Sequence, residues 1–335
     1  MEKIDTLIVG AGPAGTICAY LLRNAGVDCI LVDRASFPRE KLCGGGLTPK
    51  AYSLVEEIMP GLQYEYRAVN RVKVGLDHKS IGEIELPQEV RIVSRKDFDY
   101  ALLRQYLNVG GLFIQDSFVS FARQEDGCIV VTLKSGKQIV CNHLVGADGA
   151  NSRMRKQVMG RYDGNVLFVE QYIPKGRDAI EGVVSRKYEK GYYYLFPSVN
   201  HDVVGLGAKD VSVQEFRDVL AREGIAETTI KGANIPVKDV ESGFDDIMLI
   251  GDAGGFANKL SYEGLYYAFA TGRNAARAIV EGKSFRDTNR DIFKRKRKER
   301  LLAGLFYSRF GMFLVRYCSF SKRLVCKIFV AGLSH

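Results

Sequence analysis

Near its start the chain is mostly apolar from Ile4 to Gly10 (IDTLIVG) and again from Cys29 to Asp33 (CILVD). Short apolar runs that stop at glycine or aspartate read as buried strands. Between them, Pro13–Ala25 carries apolar residues at helical spacing, with proline in the first turn. Strand, helix, strand in this order is a βαβ unit. Thr48 is placed to cap a helix from Pro49 to Met59. Alternating stretches such as RVKVGL and GEIELP then predict strands of a separate sheet, and SRKDFDYALLRQYLNVGG predicts an amphipathic helix with a glycine stop. Strand patterns follow at Leu112–Phe121, Cys128–Leu133 and Ile139–Val145, and GADGANSRMRK reads as strand end, turn and helix start. From about Val166 to Ile235 the pattern is mostly β, with a helix near Val213–Arg222. IMLIGDAGG is a further apolar strand, and a helix is expected from about Tyr262 to Val280.

The predicted fold class is therefore α/β. A Rossmann-like nucleotide-binding unit in three pieces (1–65, 95–165 and 240–285) is interleaved with a β-rich α+β unit (66–94 and 166–239). A basic helical region, 286–335, follows.

Composition narrows this only modestly. The 335 residues, 46% of them hydrophobic, suffice for a sizeable core. The seven cysteines are scattered without a C-x-x-C pair, which argues against zinc or iron–sulfur centres and leaves no expected metal. The odd count, with no leader-like start, points to a reducing cytoplasm. The net charge of +9 resides in the tail: Arg286 to His335 holds thirteen basic and three acidic residues, leaving the remainder close to neutral.

GAGPAG, Gly10 to Gly15, fits G-x-G-x-x-G after a strand and at the opening of a helix, with Asp33 at the end of the next strand. Gly10 permits the tight turn, Gly12 the approach of a pyrophosphate, and Gly15 close helix–strand packing. The helix start supplies amide donors to the phosphates, and Asp33 suits the ribose hydroxyls. A second full fingerprint is missing; GLGAKD (Gly205–Asp210) lacks the third glycine.

GAGPAG, ADGANS and GDA, in this order and spacing, resemble the flavoprotein group that contains para-hydroxybenzoate hydroxylase. That resemblance implies FAD. It puts Asp252 at the ribityl-pyrophosphate region and Asp148 in a turn behind the cofactor. Backbone amides around Gly264 and Leu265 would face the isoalloxazine carbonyls, and Pro13, Ala14, Arg34 and Val119 would join the cofactor's surroundings. Two further stretches resemble the geranylgeranyl reductase family. PREKLCGGGLTPKA is similar to its P-x-x-K-x-C-G-(G) loop, which would lay Cys43, Gly44 and Gly46 against the flavin. YYYLFPSVNHDVVGLG is similar to its Y-x-W-x-F-P-x(7)-G-x-G signature through Tyr192, Phe196, Pro197, Gly205 and Gly207, with Tyr194 in place of the tryptophan. SRKDFDYALL resembles its R-x-x-F-D-x-x-L helix, which would bring Arg95 near the cofactor.

The family resemblance implies saturation of isolated C=C bonds in a polyprenyl chain on a lipid, quinone or pigment precursor. Such a chain needs an apolar tunnel, and alternation along a strand puts Tyr192, Tyr194 and Phe196 on one face, with Pro197 next to them. An unactivated alkene needs a proton with its hydride. Cys43 is one candidate donor and Tyr192 a second; a small residue merely packed on the cofactor is the other reading of Cys43. Electrons would come from NAD(P)H or a reduced electron-carrier protein. A flavin monooxygenase of an aromatic substrate, and a non-catalytic FAD-containing lipid-binding protein, share these motifs and stay open. In the tail, Arg309, Arg316 and Arg323 share a helical stripe beside Phe306, Phe310, Phe313, Tyr317, Phe320 and Leu324. This pattern suits either an interfacial helix on the inner face of a membrane or a cover over the substrate region; no nucleic-acid motif accompanies the charge.

Overall fold

The computed structural model describes residues 2–77, 79–185, 191–311 and 313. The elements run β1 (Glu2–Val9), α1 (Pro13–Asn24), β2 (Cys29–Asp33), β3 (Gly46–Leu47), α2 (Pro49–Ile58), β4 (Tyr66–Leu76) and β5 (Lys79–Val93). Next come α3 (Arg95–Asn108), β6 (Leu112–Gln115), β7 (Phe118–Arg123), β8 (Ile129–Leu133), β9 (Gln138–Gly146) and α4 (Arg153–Met159). The second half holds β10 (Asn165–Ile173), β11 (Ile180–Val184), β12 (Tyr192–Phe196), β13 (Asp202–Ala208), α5 (Val213–Arg222), β14 (Lys231–Pro236) and β15 (Ile247–Leu249). A short 3-10 turn (Gly251–Gly254) then leads to α6 (Leu265–Glu281), α7 (Phe285–Thr288) and α8 (Arg290–Phe306).

Two sheets form. The first has the order β6-β2-β1-β9-β8-β7, with β15 also on β9. Its β6, β2, β1, β9 and β15 are parallel, and β7 and β8 are antiparallel additions. Strands buried on both faces explain the near-continuous apolar runs of β1 and β2. Helix α6 lies on α1 so closely that a Cβ at Gly272 would overlap the Ala14 carbonyl. The second sheet, β14-β10-β13-β12-β11-β4-β5-β3, is antiparallel except for the β11–β4 pair. One face packs on α5, where Tyr193 and Leu195 meet Phe216, Val219 and Leu220. The other face looks toward the first sheet.

Three details depart from the sequence reading. The strand expected over Leu112–Phe121 is two, broken at Asp116 and Ser117. The register between β7 and β8 slips between Phe118 and Ser120, so Val119 falls on a bulge and is 47% exposed. Thr48 occupies the N-cap position of α2, but its hydroxyl donates to Glu263 instead of capping the helix. In the tail, Arg316, Tyr317, Phe320, Arg323 and Leu324 lie outside the described residues.

Candidate active site

The carboxyl ends of β1 and β9 adjoin, while their connections lead to opposite sides of the sheet. Ligands in open α/β sheets sit at such a crevice. Gly10 takes φ +109°, and a Cβ there would overlap the Ala147 carbonyl at the end of β9. Gly15 faces the Gly10 carbonyl in the same way, so it packs helix on strand and does not reach the crevice. Gly12 is different: a Cβ there would meet only the Arg39 guanidinium, at 3.5 Å. The loop is bare on its open side, beneath a cation and at the positive end of α1. Asp33 accepts from the Ala11 amide at 2.7 Å and the Ala35 amide at 2.8 Å. It thus braces the glycine loop as well as facing the crevice.

Two more turns complete this wall. Asp148 accepts from the Arg153 amide (2.8 Å), the Met154 amide (3.2 Å) and the Ser152 hydroxyl. Burial nevertheless pushes its carboxyl above the usual range, against those bonds. Arg155 donates to the carbonyls of Asp252 (2.9 Å) and Ala253 (3.0 Å), fixing the 3-10 turn. Asp252 then lies near Gly264, whose Cβ would stand 3.5 Å from its carboxylate. Gly264 is the N-cap of α6 and has no side-chain cap of its own, so the amides of that helix start are open to a ligand.

The opposite wall is the second sheet, and the space between the walls is a cavity of about 1370 Å³. A single drug-sized ligand commonly occupies about 300–1,000 Å³, so a cofactor and a chain-like substrate fit together. Phe168, Glu170, Tyr192, Tyr194 and Phe196 line it from one sheet face, and Val72, Val90, Ile180 and Val184 extend the apolar surface. The two glycines of GLG explain how these large groups meet. Glu170 and Tyr194 both pair with Gly205, and Phe168 and Tyr192 both pair with Gly207. Each glycine leaves an empty slot on β13 into which the flanking rings lean. Tyr194 thereby reaches across β13 and donates to Glu170 Oε2 at 2.6 Å.

Cys43 lies on the cavity between the two walls. Its sulfur accepts from the Gly45 amide at 3.4 Å, and the Arg95 guanidinium faces it. Arg95 is clamped on Asp99 by a fork, at 2.8 and 2.9 Å. Burial works against that guanidinium's charge, but Asp99 and Cys43 outweigh it and hold its pKa above the ordinary value. Elsewhere, burial pushes the thiols of Cys29 and Cys141 up to about 11 and about 12.

The glycines after Cys43 depart from expectation. A Cβ at Gly44 or Gly46 would press on the Phe196 ring, at 2.8 and 3.2 Å, and Gly45, at φ +74°, abuts the Val93 carbonyl. Their bareness lets the loop lie on the second sheet, while the loop's other side looks into the cavity.

Of the remaining predicted residues, Pro13, Ala14, Arg34, Gly44, Gly46, Asp252, Gly264 and Leu265 line the cavity. Val119 does not; the bulge turns it outward, and Ser117 and Phe118 line in its place. Pro197 is buried, off the lining. The Tyr192 hydroxyl donates to the Ser261 carbonyl at 2.8 Å, and burial pushes its pKa up, so its proton is both engaged and tightly held. Sequence reasoning missed Arg39, Glu170 and Glu263. Arg39 sits beside the noticed cysteine loop. Glu263 is tied to Lys50 at 3.0 Å and to Thr48. Only the strand register places Glu170.

A family model described as FAD binding domain matches residues 3–170. Over 83% of this chain, a geranylgeranyl diphosphate reductase of Rhodobacter capsulatus is 30% identical, with 75% of that protein covered. The chain belongs to the geranylgeranyl reductase family of FAD-dependent oxidoreductases. A menaquinone reductase of Mycobacterium tuberculosis is 27% identical over 83% of this chain and 77% of its own. The crystal structure of a geranylgeranyl bacteriochlorophyll reductase-like protein from Thermoplasma acidophilum shares the fold, with TM-score 0.75 at 16% identity over 100% of this chain and 92% of the other. The donor set fits the family's FAD. The bare cradle at Gly12 suits a pyrophosphate beneath Arg39, Asp33 and Asp252 offer carboxylates for hydroxyls, and the open amides of α6 suit ring carbonyls.

Proposed function

We propose that this protein saturates isolated C=C bonds in a polyprenyl chain carried by a lipid, quinone or pigment precursor. The observation that carries this reading is the continuity of one cavity. It runs from the glycine cradle, past Cys43, to an aromatic and aliphatic sheet face with few polar groups. A site for hydroxylating a small polar aromatic has no use for so long an apolar wall. Relatives named as reductases of geranylgeranyl diphosphate and of menaquinone support the same substrate class.

What FAD supplies when bound and reduced is a hydride. The chain's own residues do the rest. Phe168, Tyr192, Tyr194 and Phe196 hold the prenyl chain and keep water from it. Arg95 and the Gly45 amide hold the Cys43 sulfur at a fixed position beside the reacting bond. Lys294, Arg295 and Lys298 of α8 lie at the cavity with Leu302 and Phe306, a pairing that suits an anionic head group above an apolar chain. Leu301, Leu302 and Leu305 of the same helix are exposed, Leu301 by 72%. Among the described residues no helix is long and apolar enough to cross a membrane. We place the protein in the cytoplasm, resting peripherally on the inner face of the membrane through α8 and the residues beyond it. NAD(P)H or a reduced carrier protein delivers the electrons.

Anaerobic incubation of reduced protein with geranylgeranyl diphosphate or menaquinone, followed by mass spectrometry, tests the reading. Stepwise gains of two hydrogens are expected. Oxygen-dependent NAD(P)H oxidation with a hydroxylated aromatic product, and no saturated prenyl product, would overturn it.

A further inference from the structure

Glu170 has no place in the reading above, yet its carboxyl is buried in the cavity wall with one oxygen left without a hydrogen-bond partner. It sits mid-strand in β10, only 3% exposed. One carboxyl oxygen, Oε2, accepts from Tyr194. The other, Oε1, is buried without a hydrogen-bond partner. The Cys43 amide approaches the carboxyl without closing a hydrogen bond on Oε1, and a buried carboxylate oxygen held so weakly is costly, whereas the neutral acid carries a proton there at little cost.

The surroundings of Glu170 are specific. Gly205 of β13 gives it room, and Tyr194 of β12 leans over that glycine to meet it. The loop after β2 brings Lys41 and the Cys43 amide toward it, and β14 brings Lys231. Tyr172, two residues along β10, stands beside it. Glu170 lines two spaces at once. One is the large cavity. The other is a side cavity of about 390 Å³, walled by Leu42, Tyr172, Thr228, Thr229 and Lys231, the last three of which are exposed at its rim. One carboxyl thus stands between the reaction space and water.

We propose that Glu170 is the acid that supplies the proton for alkene saturation, replenished from water through the side cavity. The inference rests on the prenyl-reductase reading. The O–H bond at Glu170 Oε1 breaks as the alkene π bond opens, and a C–H bond forms on one carbon. The other carbon would take a hydride, the two-electron reducing equivalent that reduced FAD would supply when bound. Glu170 is left as carboxylate and regains a proton from the side cavity. Tyr194 is a positioning residue, holding Oε2 so that Oε1 keeps the proton. Burial pushes the Glu170 carboxyl above its ordinary range, more than Tyr194, Lys41, the Cys43 amide and Lys231 pull it down, which favours the acid form. Cys43 then keeps its sulfur beside the reacting bond without having to lose a proton.

The test uses FAD-loaded wild type, Glu170→Gln and Tyr194→Phe. Infrared difference spectra of wild type minus Glu170→Gln at neutral pH should contain the carbonyl band of a neutral carboxylic acid. Absence of that band overturns the inference whatever the activity. Anaerobically pre-reduced protein is then mixed with geranylgeranyl diphosphate or menaquinone. Glu170→Gln should retain FAD and saturate the chain at least about 100-fold more slowly, the usual scale for loss of a general acid. Tyr194→Phe should shift the alkaline limb of the pH profile of the turnover it retains, since it alters the acid without removing it. Glu170→Gln turning over within about 3-fold of wild type sinks this inference alone, whereas a wild type that saturates neither probe sinks the prenyl-reductase reading beneath it.

Discussion

The two walls of the cavity use the same residue for opposite ends. At the first sheet, glycine brings backbone close to a ligand: Gly10 makes the turn, Gly12 leaves the cradle bare, and Gly264 opens the start of α6. At the second sheet, Gly205 and Gly207 bring nothing close to the ligand; they vacate strand positions so that Phe168, Glu170, Tyr192 and Tyr194 can meet over them. One wall offers main chain to the cavity, the other side chains. The first tolerates sequence change wherever only backbone is read, and the second depends on every ring that leans into a slot.

The largest effect is expected at Gly10. A methyl there meets both an unfavourable φ and the Ala147 carbonyl, so Gly10→Ala should be purified colourless and lose about 2–4 kcal/mol of stability, as read by denaturant titration. Gly205→Val should cost about 2–3 kcal/mol by displacing Tyr194, while the remaining folded protein still binds FAD. Equal loss of FAD in both variants would erase the distinction between the walls. Gly12→Ala divides them more finely. Its Cβ meets only the Arg39 guanidinium, so the thermal midpoint of the apo-protein should hold while FAD affinity, by fluorescence titration, drops about 10–100-fold. Cys43→Ala should retain FAD with wild-type affinity and lose turnover; unchanged turnover would leave the cysteine a packing role only.

The smallest effect is a pH slope. Glu170 has a carboxyl raised by burial in the folded state. The unfolded chain therefore gives up that proton at lower pH than the folded one. The corresponding stability is fully present below the ordinary glutamate range and is lost as pH rises through the raised folded value. Thermal midpoints of wild type should fall across that window, and Glu170→Gln should flatten the slope.

The first wall was legible in the sequence because its chemistry is local. GAGPAG, ADGANS and GDA each hold strand end, turn and helix start within a few residues, and backbone donors need no distant partner. The second wall was legible only as far as period-two alternation reached, which placed Tyr192, Tyr194 and Phe196 on one face. Glu170 escaped because nothing near it marks it as chemical. Its partner is 24 residues away, and their meeting depends on a shared register against Gly205. Val119 was misplaced because Leu112–Phe121 was read as one strand, whereas the structure interrupts it at Asp116 and Ser117 and puts a bulge after Phe118. The glycines after Cys43 were read as bare backbone laid against a flavin; the surface on which their bareness lets the loop lie is the second sheet. Part of that surface is the Phe196 ring.

The pairing of β15 with β9 also sets an order of assembly. β9 ends at Gly146, but the strand that completes its parallel edge, together with the turn bearing Asp252, arrives only at Ile247. Helix α6, whose Gly272 closes on α1, follows later still. During synthesis the glycine loop near the N-terminus thus emerges long before the groups that share its ligand. Contacts so distant in sequence form late and slowly. Capture of a cofactor would accordingly wait until β15 and α6 have returned to the glycine loop.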